Sequence, residues 1–258
     1  MEGKLITRTN KAELLRLPDG SLLKRYFTKN AVDRVRHDQR SLQYIQEHFG
    51  EVYYEAWLYR AVKPLWVSPD GTALCLEFVP GCELAELPKS RMKEAEYHCG
   101  VWLALYHNRV LDGNTEGLIH TDFTVHNIIL DFEQKRVTAI DPGMTWGRLG
   151  FAYEDLVIHI CSMLVVLVGR RKAPFSAIIA CLKGYALVKE TKLDLAIYYR
   201  SLFRELRRQV RKYATEGGYV KRLVFLLLVV FLSPLFLFFI PGYLYAEQRP
   251  ANMVTERT

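Results

Sequence analysis

Residues 117–143 read GLIHTDFTVHNIILDFEQKRVTAIDPG, with Asp122, Asn127 and Asp141 as the polar side chains at telling intervals. Asn127 opens the apolar run Ile128-Ile129-Leu130, and a charged turn follows from Asp131 to Arg136. A second apolar run, Val137 to Ile140, ends at Asp141, where Pro142 and Gly143 stop the strand. Two short apolar runs around a charged turn predict a hairpin. It brings Asn127 and Asp141 to one end, with Asp122 hanging over them from the preceding loop. Hard oxygen donors of this kind suit Mg²⁺, which takes one or two protein ligands and leaves the rest to phosphate and water. A carboxylate placed before the Asn can then orient or deprotonate an attacking hydroxyl.

The order His120-Thr121-Asp122-x-x-x-x-Asn127 followed by Ile140-Asp141-Pro142-Gly143 resembles the catalytic and metal loops of the protein-kinase-like superfamily. It is closest to the atypical branch of aminoglycoside, choline, lipopolysaccharide-sugar and small bacterial kinases, which uses His-Gly-Asp-x-x-x-x-Asn and then Ile-Asp-Phe-Gly or a variant. The resemblance implies ATP and Mg²⁺ as cofactors, Asp122 as catalytic base, and Asn127 and Asp141 as metal ligands. It gives His120 a structural role, bonding the catalytic and metal segments together. Thr121 stands where the family has Gly, and Pro142 where it has Phe. Neither change removes a chemical group the reaction needs, and the Pro argues against a mobile Phe switch.

Upstream, Lys4–Arg8, Ala12–Leu17 and Ser21–Phe27 read as three strands, with a turn signal at Pro18-Asp19-Gly20. A Lys on the third strand is where the superfamily binds the α/β-phosphates, which points to Lys24; Arg25 faces the other way by strand alternation. Thr9-Asn10-Lys11 stands in for a glycine-rich loop. Residues 31–48 show helical spacing through Val32, Val35, Leu42 and Ile45. The family pairs its strand Lys with a Glu on this helix. Asp38 is the candidate here, with Gln39, Glu47, Glu51 or no pair at all as alternatives. Tyr53, Tyr54, Trp57, Tyr59 and Trp66 form an aromatic cluster that reads as packing. Val62–Val67 and Ala73–Val79 read as two more strands, and the second runs into Leu76-Glu77-Phe78-Val79-Pro80-Gly81. That run resembles the family's hinge, where backbone groups of residues such as Glu77 and Val79 hold the adenine.

Downstream, residues 89–110 predict a helix with Met92, Ala95, Cys99, Trp102 and Tyr106 on one stripe. His98 and His107 on it read as surface or core histidines, and His126 has no partner at metal spacing. Tyr153–Val168 is an apolar helix beginning Tyr-Glu-Asp; the resemblance makes Asp155 a brace for the catalytic loop. Pro174–Leu187 and Lys192–Tyr213 read as further helices.

The 258 residues carry a net charge of +7, much of it in a run of Arg and Lys from Arg200 to Arg222. Residues 223–245 then hold no charge at all. At about 1.5 Å per residue such a segment can span the roughly 30 Å hydrocarbon core of a bilayer, with a re-entrant or interfacial element and a buried C-terminal helix of the larger lobe as the alternatives. Basic residues before it and Tyr243 and Tyr245 at its end suit an anchor with the rest of the chain on the cytoplasmic face, of a bacterial inner membrane by the resemblance. The partner of the basic run is then an anionic membrane surface rather than nucleic acid. The five cysteines show no C-x-x-C pair and no His at zinc spacing, which fits a reducing compartment. The N-terminus has no signal-peptide core.

The expected architecture is α+β and two-lobed. Residues 1–80 form a small antiparallel-sheet lobe, 81–215 a helical lobe, and 216–258 a basic flank with a hydrophobic membrane helix. The expected reaction is transfer of the ATP γ-phosphoryl group to a hydroxyl acceptor, a lipopolysaccharide or other lipid-linked envelope sugar. A Ser/Thr protein kinase and a nucleotide-binding pseudokinase scaffold are the alternatives.

Overall fold

The computed structural model describes residues 3–111, 116–144, 150–169, 174–189, 194–200, 202–204, 237 and 239–247. In chain order the strands and helices are β1 (Lys4–Arg8), β2 (Ala12–Arg16), β3 (Leu22–Tyr26), α1 (Ala31–His48), β4 (Val52–Tyr54), β5 (Trp57–Ala61), β6 (Pro64–Val67), β7 (Ala73–Leu76) and β8 (Cys82–Glu83). They continue with α2 (Lys89–Leu111), β9 (Glu116–Gly117), β10 (Ile128–Asp131), β11 (Arg136–Ala139), β12 (Gly150–Phe151), α3 (Ala152–Gly169), α4 (Pro174–Val188) and α5 (Ile240–Glu247). The chain divides into two compact units, Met1–Leu87 with His120–Thr145, and Pro88–Ile119 with Trp146–Thr258.

The first unit holds two five-stranded sheets. One runs β1-β2-β3-β7-β6 and is antiparallel throughout. The other runs β4-β5-β11-β10-β8, with β5 and β11 parallel and the other pairs antiparallel. Strand alternation explains the split of β3. Leu23 points to a cluster with Leu15, Leu17, Ala73 and Cys75, whereas Tyr26 enters a separate cluster with Ala31, Val35, Leu42, Leu74 and Val79. Asp38 shares the buried stripe of α1 with Val35, Leu42 and Ile45, so a carboxylate is carried into that core on an otherwise amphipathic helix.

The predicted hairpin is present as β10 and β11, with Ile128 opposite Ala139 and Asp131 opposite Arg136. It is hydrogen-bonded into the second sheet on both sides, to β8 through Leu130 and Cys82 and to β5 through Val137 and Tyr59. Those ladders are why residues 120–145 belong with the N-terminal sheets by contact, whereas the sequence reading drew its lobes at 1–80 and 81–215. β4 and β5 were not anticipated. The aromatic stretch that reads as packing is itself strand, with Tyr59 fully buried and Tyr53 exposed. Alternation over so few residues is hidden when both faces carry aromatics.

In the second unit α2 is buried nearly all round, including Glu96, His98 and His107. It crosses α4 at close range. A Cβ on Gly100 would lie 2.0 Å from the Cys181 carbonyl oxygen, and one on Gly184 would lie 2.1 Å from that of Tyr97. β9 and β12 form a short antiparallel ladder before α3.

Among the described residues no helix is long and apolar enough to cross a membrane. Most of the expected membrane segment, 223–245, lies outside the described residues, as do 205–222 of the basic run. Its C-terminal part belongs to α5, whose Ile240 and Leu244 are buried and whose preceding Phe239 meets the ring of Phe175 on α4 at 5.5 Å.

Candidate phosphotransfer site

β3 and α1 together set the cation of the site. Lys24 and Tyr26 are two apart on β3 and so share a face. Lys24 Nζ donates to Asp38 Oδ2 at 3.0 Å and to Asp141 Oδ1 at 2.5 Å. Tyr26 Oη donates to the same Asp38 oxygen at 2.5 Å. Burial alone would lower the pKa of the Lys24 ammonium, but the carboxylates of Asp141 and Asp38 outweigh it and hold the pKa well above its ordinary value. Lys24 is therefore a fixed positive charge. Arg25, pointing the other way, pairs instead with Glu13 at 3.1 Å. Among the alternatives raised for the partner of Lys24, Asp38 is the residue in contact, while Glu51 pairs with Arg60 and Lys63. Tyr26 was missed in the sequence, although its place two residues beyond Lys24 is a signal that alternation could have used.

The segments around Asp122 and Asp141 are tied together at several points. Asn127 Nδ2 donates to both the carbonyl and the carboxylate Oδ2 of Asp122, each at 2.9 Å. Its amide nitrogen is thus committed to Asp122, and its oxygen is the atom left to face a cation. Ile140 N donates to the Asn127 carbonyl at 2.9 Å, which sets Asp141 beside the loop. Gly143 N donates to the His120 carbonyl at 3.0 Å, and the Thr121 hydroxyl donates to the Gly143 carbonyl. His120 is fully buried, with its ring edge-on to Phe123 at 5.5 Å.

Thr121 has φ +58, left-handed backbone. A β-branched residue is costly there, by roughly 1–3 kcal/mol, which explains why a Gly suits this place in the motif. Thr121 regains part of that cost through its bond to Gly143. Asp141 is also left-handed, at φ +51, and its side chain is 48 % exposed. That exposure leaves it accessible to a solvated ion. The donor set of Asn127 amide oxygen and Asp141 carboxylate, with the Asp122 carboxylate beside them, is all hard oxygen and fits Mg²⁺.

The stretch after β7 is braced. The Glu77 carboxylate accepts from Lys63 N at 2.6 Å and pairs with Arg60 at 2.8 Å, and Glu77 N donates to the Lys63 carbonyl at 3.1 Å. Strand β7 ends at Leu76, short of the expected Val79. Val79 is buried, and Phe78 is exposed with the Arg16 guanidinium 4.3 Å from its ring centre. The site assembles Lys24, Asp38, Asp122, Asn127 and Asp141, all of them in the first unit. Asp155, the expected brace, lies in the second unit, fully buried, with its carboxylate 3.2 Å from His107 Nε2.

No protein-family model matches the chain, and no curated protein sequence matches it. Solved structures do. An aminoglycoside-3'-phosphotransferase of type VIII superposes with a TM-score of 0.58 at 12% identity, covering 79% of this chain and 93% of that one. The streptomycin-ATP-APH(2")-IIa ternary complex superposes at 0.55, also with 12% identity, covering 86% of this chain and 90% of that one. The chain therefore has the α+β fold seen in the aminoglycoside phosphotransferases, the fold that the sequence resemblance implied.

Proposed function

We propose that the protein is an ATP-dependent phosphotransferase that moves the γ-phosphoryl group to a hydroxyl acceptor. The observation that carries this reading is the cluster in which Lys24 bridges Asp38 and Asp141 while Asn127 is locked onto Asp122. Lys24 holds the α/β-phosphates. Asp38, itself held by Tyr26, keeps the ammonium in place. The pairing of Lys24 with Asp141 keeps both charges satisfied until nucleotide and cation offer each its own partner. Asp122 orients the acceptor hydroxyl and receives its proton as the new P–O bond forms and the bond to the β-phosphate oxygen breaks, releasing ADP. Asn127 and Asp141 would hold Mg²⁺, which supplies neutralisation of the phosphate charge. Backbone groups of Glu77 and Val79 take the adenine. Most of the rate enhancement comes from positioning and electrostatics.

The acceptor in this reading is an envelope sugar, lipopolysaccharide or otherwise lipid-linked, met at the cytoplasmic face of a bacterial inner membrane. The fold's relatives named above are aminoglycoside phosphotransferases, which supports a sugar-like hydroxyl. The basic run and the uncharged stretch 223–245 support an anionic lipid surface.

The test is transfer from γ-labelled ATP with Mg²⁺, using membranes that carry the protein or its Asp141→Ala variant. Label in the glycolipid fraction, lost in the variant, is the expected result. Label on protein in its place identifies a Ser/Thr acceptor. Equal labelling of every fraction by both forms, with nucleotide binding confirmed separately, overturns catalysis in favour of a pseudokinase scaffold.

A further inference from the structure

Away from the phosphotransfer site, the second unit buries a set of side chains that packing alone does not account for. Glu96 on α2, His159 on α3 and Cys181 on α4 are each 0 % exposed. A carboxylate oxygen, a ring nitrogen and a sulfur from these three lie within 4.8 Å of one another. His159 Nε2 and Glu96 Oε2 are 2.7 Å apart. The second oxygen of Glu96, Oε1, is buried with no hydrogen-bond partner among the described residues. Leaving a buried carboxylate half-satisfied is costly, and such an atom calls for an explanation.

We propose that Glu96, His159 and Cys181 bind one Zn²⁺ as a closed structural site, with the second carboxylate oxygen of Glu96 as the remaining donor. The mixture of sulfur, nitrogen and oxygen donors matches a borderline-soft ion and does not suit Mg²⁺ or Ca²⁺, which want oxygen alone. Full burial leaves no position open to water or substrate, as in structural rather than catalytic zinc sites. The Glu96 carboxylate and the Cys181 thiolate together neutralise the ion, so its charge is not left bare in an apolar core. Binding releases the Cys181 proton to solvent. It also needs the His159 proton on Nδ1, leaving the Nε2 lone pair for the metal. The ion would clamp α2, α3 and α4 of the second unit together. Nothing in the sequence spacing signals this, because the ligands lie on three separate helices. The proposal stands independently of the phosphotransfer reading.

The experiment uses the full chain purified without chelator. Metal content is measured by mass spectrometry; Co²⁺ is then added to chelator-stripped protein and the thiolate-to-cobalt charge-transfer absorption is recorded. The expected result is about one equivalent of zinc per chain, a tetrahedral Co²⁺ spectrum bleached by added Zn²⁺, and a lower melting temperature after stripping. Cys181→Ser and Glu96→Gln lose the metal, whereas Cys82→Ser, which alters a cysteine of the first unit, keeps it. No cobalt–thiolate absorption in the wild-type chain with Co²⁺ in excess overturns the proposal, and so does stoichiometric zinc that persists in Cys181→Ser. The wild-type cobalt spectrum decides the matter even where a variant fails to fold.

Discussion

In the proposed reaction, Asp122 is the residue whose removal separates chemistry from binding. Its carboxylate is held by Asn127 at 2.9 Å, while the cationic Lys24 is held by other groups. Asp122→Asn is therefore expected to cut turnover by about 10²–10⁴-fold, the range for a lost general base, with ATP affinity within about threefold of wild type. Isothermal titration beside a turnover assay checks both. Gly143 tests the tie between the two loops. A Cβ there would meet Asp122 Cβ at 2.9 Å and Thr121 Oγ1 at 3.1 Å. Gly143→Ala must push Thr121 and Asp122 aside. We expect a fall in kcat on the order of 10²-fold, read from initial rates, with a melting curve close to wild type. At this scale the sequence was largely legible. The Asp–Asn–Asp set follows from side-chain chemistry and spacing, and Lys24 from the family resemblance, with strand alternation choosing it over Arg25. Tyr26 did not stand out, because a tyrosine on a half-buried strand reads as core until the helix beside it is known to carry a carboxylate.

The crossing of α2 and α4 is an element-scale feature, with Gly100 and Gly184 each set against the backbone of the partner helix. Gly100→Ala offers the second unit no flexible side chain to move aside, only the Cys181 and Tyr185 backbone. Over-packing of this kind costs about 1–3 kcal/mol, and chemical denaturation should show that loss. A second element-scale prediction concerns α2 and α3. Burial holds the His107 imidazole below its ordinary pKa, against the opposing pull of Asp155. The fold thus keeps it neutral while the unfolded chain protonates near pH 6.5. Stability from this group is present above that pH and is lost as pH falls through the lower folded value. The unfolding midpoint should drop between pH 7 and pH 5, and His107→Asn should flatten the slope. An unchanged slope in that variant would assign the acid sensitivity to other groups.

Nucleotide provides the whole-molecule test. Saturating Mg²⁺ and ATP at a hundredfold excess over Kd should stabilise the protein by about 2.7 kcal/mol through mass action, seen as a rise in melting temperature. In Asp141→Asn the Mg²⁺-dependent part of that rise should vanish, while a smaller Mg²⁺-independent part, carried by Lys24 and the hinge, persists. A full Mg²⁺-dependent shift in the variant would remove Asp141 from the metal site. The likeness to the aminoglycoside phosphotransferases holds at 12% identity. Few side chains are shared at that level, so the fold must be specified chiefly by hydrophobic pattern and ladder geometry rather than by particular residues.

The sequence by itself determined the hairpin that follows Asn127, the placement of Lys24 on the third strand and the helical character of residues 31–48, 89–110 and 153–168. Each is a local pattern of short period, read from alternation, helical spacing and turn residues. Only the tertiary structure decided which carboxylate meets Lys24, that the aromatic stretch forms β4 and β5, and that the hairpin is knitted between β5 and β8. It alone brought Glu96, His159 and Cys181 together. Those outcomes depend on contacts between segments far apart in the chain, and no local period encodes which distant partner a buried group will find.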